Sequence, residues 1–122
     1  MSQSARFIPT MSADEMAKVQ LEGLQWTVRH ACENSPFYRQ RLQESGVQPG
    51  DVKSLEDLTR LPFTTAYDLQ DGYPLPLLSV DESRVVRIHG SSGTTGKRKI
   101  LAHTQKDIDD WANMFARCYE LA

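Results

Sequence analysis

The chain has 122 residues, with 39% hydrophobic and 25% charged side chains and a formal net charge of −2. That length sets an expectation of about one domain with a modest core, and the composition excludes a disordered chain. The charge gives no support to nucleic-acid binding through bulk electrostatics. No apolar run reaches the length of a membrane span, and the opening MSQSARFIPTM lacks the apolar stretch of a secretory signal. The two cysteines, Cys32 and Cys118, lie far apart with no metal-ligand spacing. They are expected to be reduced and packed, in a soluble cytoplasmic protein without membrane or nucleic-acid partners.

In chain order, MSADEM opens a helix. Ser12 and Glu15 have capping-box spacing, with Met11 and Met16 placed as a hydrophobic staple. Ala17, Leu21, Leu24, Val28 and Ala31 then mark one apolar helical face. Pro36 disfavours helix at the residue before it, so this helix stops near Asn34. A second helix starts with Ser35 as cap and Pro36 at its first position, and it ends at Gly46. SLEDL, capped by Ser54, and TAYDL, capped by Thr64 or Thr65, read as short helical turns joined by proline-broken connections. From about Asp81 the pattern changes. SRVVRIH is β-branched and bounded by turn signals, which predicts a strand. KILAHT predicts a second strand, and Thr104 caps a last helix with an apolar stripe through Ile108, Trp111, Met114 or Phe115, and Cys118. Asp107, Asp109 and Asp110 fall in its first turns, where the helix dipole favours negative charge.

The two strands are joined by GSSGTTGKRK, Gly90 to Lys99. Glycines at 90, 93 and 96 allow backbone N–H groups to turn inward together into an anion-binding nest. Ser91, Ser92, Thr94 and Thr95 add hydroxyl donors, and Lys97, Arg98 and Lys99 add positive charge. A polyphosphate suits this chemistry; a solvated hairpin tip is the competing reading. The Walker phosphate loop does not fit, because position 91 is serine rather than glycine and position 98 is arginine rather than a hydroxyl residue. The dinucleotide fingerprint does not fit either, because no helix opens at this loop. His30, His89 and His103 lack metal-ligand partners, and no metal-binding residue is assigned. Trp26, Trp111 and Cys118 are expected in packing roles.

SSGTTGKRK resembles the phosphate-binding loop of the adenylate-forming superfamily of acyl-CoA synthetases, luciferases and peptide-synthetase adenylation domains, whose pattern is serine-glycine-threonine-threonine-glycine, any residue, proline, lysine. Arg98 stands where that pattern has proline. LEGLQWTVRHACENSPFYRQRL, SLEDLTRLPFTTAYDLQDGYPL and VVRIHGSSGTTGK together resemble the N-terminal part of phenylacetate–coenzyme A ligases. The resemblance covers the chain from about Val19 to the last helix. It implies an α/β fold, α+β as an isolated piece: a helical region over 1–80, then a β-loop-β-α phosphate-binding segment over 81–122, both parts of one incomplete adenylation domain.

The resemblance further implies an AMP-forming aryl-acid–CoA ligase using ATP, Mg2+ and coenzyme A on a small aryl acid such as phenylacetate. It assigns phosphate binding to Ser92, Gly93, Thr94, Thr95, Gly96 and Lys99, joined by Ser91, with Lys97 and Arg98 as auxiliary charge. No catalytic residue is assigned, since the family's metal-binding acid and adenylation lysine are expected beyond Ala122. The 122 residues alone are therefore expected to be inactive, and to self-associate or pair with the remainder of a ligase chain. The alternatives are a non-enzymatic polyphosphate-binding module and a helical interaction fragment with a relic loop.

Overall fold

The computed structural model describes residues 11–72, 74–91 and 98–122. Helix α1 runs Ala13–Asn34 and opens on the expected box: Ser12 Oγ accepts from the Glu15 N–H, and Glu15 accepts the Ser12 N–H at 2.8 Å. Its apolar face is unevenly used. Val28 is buried and Leu21, Leu24 and Ala31 are half-buried, while Ala17, nearer the start, is exposed. Helix α2, Pro36–Glu44, follows after one residue. That residue, Ser35, has no exposed surface, donates its N–H to the Ala31 carbonyl and accepts the Arg39 N–H on its own. It closes one helix and opens the next. The chain then leaves α2 through Gly46 at φ 65°, a left-handed conformation in which a Cβ is strained.

Val28 packs with Leu42 of α2 and with Val47 and Val52 from the following turn, and Leu24, Cys32 and Leu61 border this cluster. The core therefore sits among α1, α2 and the 3-10 turns Pro49–Asp51 and Leu55–Arg60. Gln25 Nε2 ties α1 to this turn region by donating to the Val52 carbonyl at 2.9 Å. Helix α3, Ala66–Asp71, is capped by Thr65, and an ion pair between its Asp68 and Arg41 of α2 holds it to the helical region.

A 3-10 turn at Glu82–Arg84 takes the first residues expected in the strand, because Asp81 caps it through the Ser83 N–H. Strand β1, Val85–Gly90, pairs antiparallel with β2, Ile100–Thr104. A bulge between Val85 and Arg87 leaves Val86 unpaired; from there Arg87 faces His103, Ile88 faces Ala102, His89 faces Leu101 and Gly90 faces Ile100. Among the described residues the sheet has two strands. Helix α4, Gln105–Leu121, starts without a linker after β2 and is capped by Thr104, whose N–H donates to Asp107 at 2.7 Å. The helix-rich chain with its small sheet is the α/β piece that the sequence predicts.

Candidate functional site

The two ends of the glycine-rich loop are fixed by the hairpin. Gly90 and Ile100 are the last paired residues of the strands. One step further out, the Ser91 N–H donates to the Lys99 carbonyl at 3.0 Å, and the Lys99 N–H donates to Ser91 Oγ at 3.1 Å. The side chain of Ser91 thus extends the ladder past the strands. An oxygen that accepts in this way keeps its own proton for a further acceptor. Ser91 and Arg98 are exposed and Lys99 is half-buried. Among the described residues no carboxylate forms an ion pair with Arg98 or Lys99, so both charges remain uncompensated at the neck. Of the residues expected to bind phosphate, the structure brings Ser91 and Lys99 together; Ser92, Gly93, Thr94, Thr95, Gly96 and Lys97 lie outside the described residues.

The face of the hairpin turned to α4 is aromatic. The rings of His89 and His103 lie 4.7 Å apart, and Trp111 of α4 packs on both, edge-on to His89 at 5.5 Å and stacked with His103 at 6.2 Å. Phe115 follows Trp111 one turn on, at 5.9 Å. His89 therefore belongs to the packing between sheet and helix, the structural role that a histidine ending a strand suggests. Register explains the grouping: Arg87 and His89 share a face with their partners His103 and Leu101, and Trp111 closes over it. This trio is invisible to a scan for metal spacing, because its members converge across the strand pairing. His103 Nδ1 is buried without a hydrogen-bond partner. Asp107, one turn into α4, is held below the ordinary carboxylate range first by the Thr104 backbone N–H, with the Thr104 hydroxyl and His103 adding to the effect.

Two expectations fail here. Cys118, expected in a core, is exposed, and Trp26 is exposed as well, although its ring stacks on His30 at 4.8 Å. The helical periodicity that places Cys118 on an apolar stripe is correct, but no described residue covers that part of the stripe. A cavity of about 420 Å³ opens between α1 and the hairpin, lined by Trp26, His30, Leu69, Leu77, Arg84 and His103 among others. None of Ser91, Arg98 and Lys99 lines it, so it is distinct from the loop neck. Among the described residues no group of three His, Cys, Asp or Glu side chains could hold a metal ion, and no helix is long and apolar enough to cross a membrane.

No protein-family model matches the chain. Curated proteins do. The chain is 48% identical over 115 residues to the phenylacetate-coenzyme A ligase of Escherichia coli (strain K12), covering 94% of this chain and 26% of that protein. This chain matches phenylacetate-coenzyme A ligases. The enzyme of that name from Aromatoleum evansii is 50% identical over 110 residues, covering 90% of this chain and 25% of its own length. The one from Thermus thermophilus is 41% identical over 110 residues, again covering 90% of this chain and 25% of its own length. The chain thus spans about a quarter of the length of the curated relatives it matches. Among solved structures, a 2-hydroxyisobutyryl-CoA ligase in complex with 2-HIB-AMP and CoA, in the thioesterification state, superposes with a TM-score of 0.76 at 31% identity, over 93% of this chain and 28% of that one. The fold is that of a segment of an adenylate-forming CoA ligase.

Proposed function

We propose that this chain serves an AMP-forming aryl-acid–CoA ligase and supplies the loop that grips the ATP phosphates. The observation that carries the reading is the 48% identity to a phenylacetate-coenzyme A ligase across nearly the whole chain. In such a reaction the carboxylate of the acid attacks the α-phosphorus of ATP. The bond to the bridging oxygen breaks, pyrophosphate leaves, and an acyl-adenylate remains. The thiol of coenzyme A then attacks the acyl carbon and expels AMP. A solved relative holding both an acyl-AMP and CoA fits this order of events.

The part given to this chain is electrostatic. Negative charge accumulates on the β- and γ-phosphates as pyrophosphate departs, and fixed donors near it stabilise that transition state more than the ground state. Ser92, Gly93, Thr94, Thr95 and Gly96 are assigned as backbone and hydroxyl donors, Lys99 as the fixed cation, and Lys97 and Arg98 as further charge. Ser91 has two tasks, closing the neck and offering its hydroxyl proton. The described residues do not fit a metal site, so no Mg2+ ligand is assigned and no step is routed through the ion. The substrate proposed is a small aryl acid such as phenylacetate, and the setting is the cytoplasm, which suits two cysteines that are both free.

The test is a chimera in which this chain replaces the matching segment of the Escherichia coli relative. Phenylacetyl-CoA formation dependent on ATP and CoA is the expected result. A chimera that is folded, monodisperse and inactive overturns the reading.

A further inference from the structure

Of the two described cations at the loop neck, Lys99 is half-buried and Arg98 is exposed. Neither forms an ion pair with a carboxylate among the described residues. A lysine head is directed either by a partner charge or by the surface its methylenes lie against. With no partner charge here, the surface decides. The pairing that sets His89 opposite Leu101 and Arg87 opposite His103 continues outward into the two hydrogen bonds between Ser91 and Lys99. Side chains alternate between the faces of a strand, so Lys99 falls on the face of Leu101, His103 and His89, and Arg98 falls on the other. Lys99 and His89 are diagonal neighbours on that face, about 7–8 Å apart at the backbone and within reach of a long stem and a ring.

The His89 ring is itself held in place. His103 lies 4.7 Å from it across the strands, and Trp111 meets it edge-on at 5.5 Å. Trp111 is anchored in turn, because α4 follows β2 without a linker and Asp107 accepts both the N–H and the hydroxyl of Thr104. A line of contacts therefore runs from the helix start through the imidazole to the root of the loop. We infer that His89 is a positioning residue for the phosphate site: clamped by Trp111 and His103, its ring supports the stem of Lys99 and aims the ammonium group. The identity of the anion that Lys99 meets rests on the ligase reading; the support of the stem does not. His89 touches no phosphate in this arrangement, and Arg98, on the opposite face, gains nothing from it. Misplacing a group that must meet a transition state by about 1 Å can cost on the order of a hundredfold in rate, so a ring beneath the stem reaches the chemistry through Lys99 alone. Trp26 and His30 supply a built-in control, since the same pair of rings stacks at 4.8 Å within α1, on a different element from the neck.

The experiment separates the two half-reactions in the chimera with the Escherichia coli relative. Pyrophosphate exchange reads adenylation, and transfer to CoA from preformed acyl-adenylate reads the second step. His89→Ala should slow pyrophosphate exchange about tenfold or more while transfer to CoA is little changed. His89→Phe keeps a ring under the stem and should restore most of the exchange rate. Trp26→Ala should leave both half-reactions as they are. In a Lys99→Ala background His89→Ala should cost nothing further, because its effect passes through Lys99. A loss that adds in full to that of Lys99→Ala, or one that falls equally on both half-reactions, makes His89 a structural residue only and overturns the inference. The 122-residue chain gives a reading that needs no catalysis. Its nuclear Overhauser contacts should join the His89 ring to the Lys99 methylenes, and ring-current shifts of those methylenes should vanish in His89→Ala. Absence of both overturns the inference even in an active chimera. A folded, inactive chimera with the contacts present sinks the ligase reading and keeps the support of Lys99 by His89.

Discussion

Ser91 and Lys99 hold each other by two hydrogen bonds, one through the Lys99 carbonyl and one through the Ser91 hydroxyl. The second is a side chain doing what a backbone carbonyl does in a ladder. Ser91→Ala removes that acceptor and leaves the Lys99 amide to solvent. At this exposed position we expect a loss of about 0.5–1.5 kcal/mol, the usual net worth of such a bond. Hydrogen exchange at the Lys99 amide should accelerate about tenfold, with the amides of Ile88 and His89 little changed. Unaltered exchange at Lys99 would show that the ladder ends at Gly90.

Lys99→Ala in the active chimera should lower kcat/KM for ATP in the adenylation step by about 10²–10³, the scale on which losing a single charge-stabilising donor is felt. The thermal midpoint should stay within a degree or two, because Lys99 makes no ion pair with a described residue. Pyrophosphate exchange measures the step directly. Unchanged exchange kinetics would remove Lys99 from the phosphate site.

Acid should loosen the helix starts in a defined window. Asp57 is lowered from 3.8 to about 2, first by the Lys53 backbone N–H and then by that of Ser54. Glu15, Asp68 and Asp107 are lowered too, each first by the backbone N–H of its own cap residue. A carboxylate whose folded pKa lies below its unfolded value contributes stability that is complete above the unfolded value and declines as pH falls toward the folded one. The chain should therefore lose stability between about pH 4 and pH 2. Urea titrations at several pH values would show it, and Asp57→Asn should flatten the dependence. A pH-independent midpoint across that range would contradict the capping account.

Two glycines should respond in opposite directions to alanine. Gly23 lies inside α1 with open space where a Cβ would go, so Gly23→Ala should stabilise by about 0.5–1 kcal/mol through helix propensity and a stiffer unfolded chain. Gly46 also has open space, but its φ of 65° makes Gly46→Ala cost about 1–2 kcal/mol. Thermal unfolding of both variants separates the backbone effect from packing, since neither methyl meets a neighbour.

Local signals were legible wherever the chain answers to its near neighbours. The Ser12–Glu15 box, the Ser35–Pro36 restart, the Gly46 exit and the Thr104 cap all depend on residues close together in sequence. The further boxes at Thr65–Asp68 and Thr104–Asp107 were readable too, had aspartate been admitted beside glutamate at the third position. The start of β1 was misplaced because Asp81 captures the Ser83 N–H and turns the chain before extension begins. The exposure of Cys118 was not legible. Periodicity reports which face of a helix is apolar, and it is silent about whether anything packs there. The neck of the loop and the histidine pair were hidden for a related reason: both depend on strand register, which a bulge at Val86 shifts by one residue.

Each of the two tryptophans rests against an imidazole, Trp26 on His30 and Trp111 on His89 and His103. The chain therefore carries two optical reporters, one for the helical region and one for the hairpin. His89 lies two residues before Ser91, so the indole of Trp111 lies against a ring at the foot of the glycine-rich loop. Substituting Trp26 by phenylalanine leaves a single-colour emission signal from that place. A change in the surroundings of the hairpin then becomes visible in that variant without a dye.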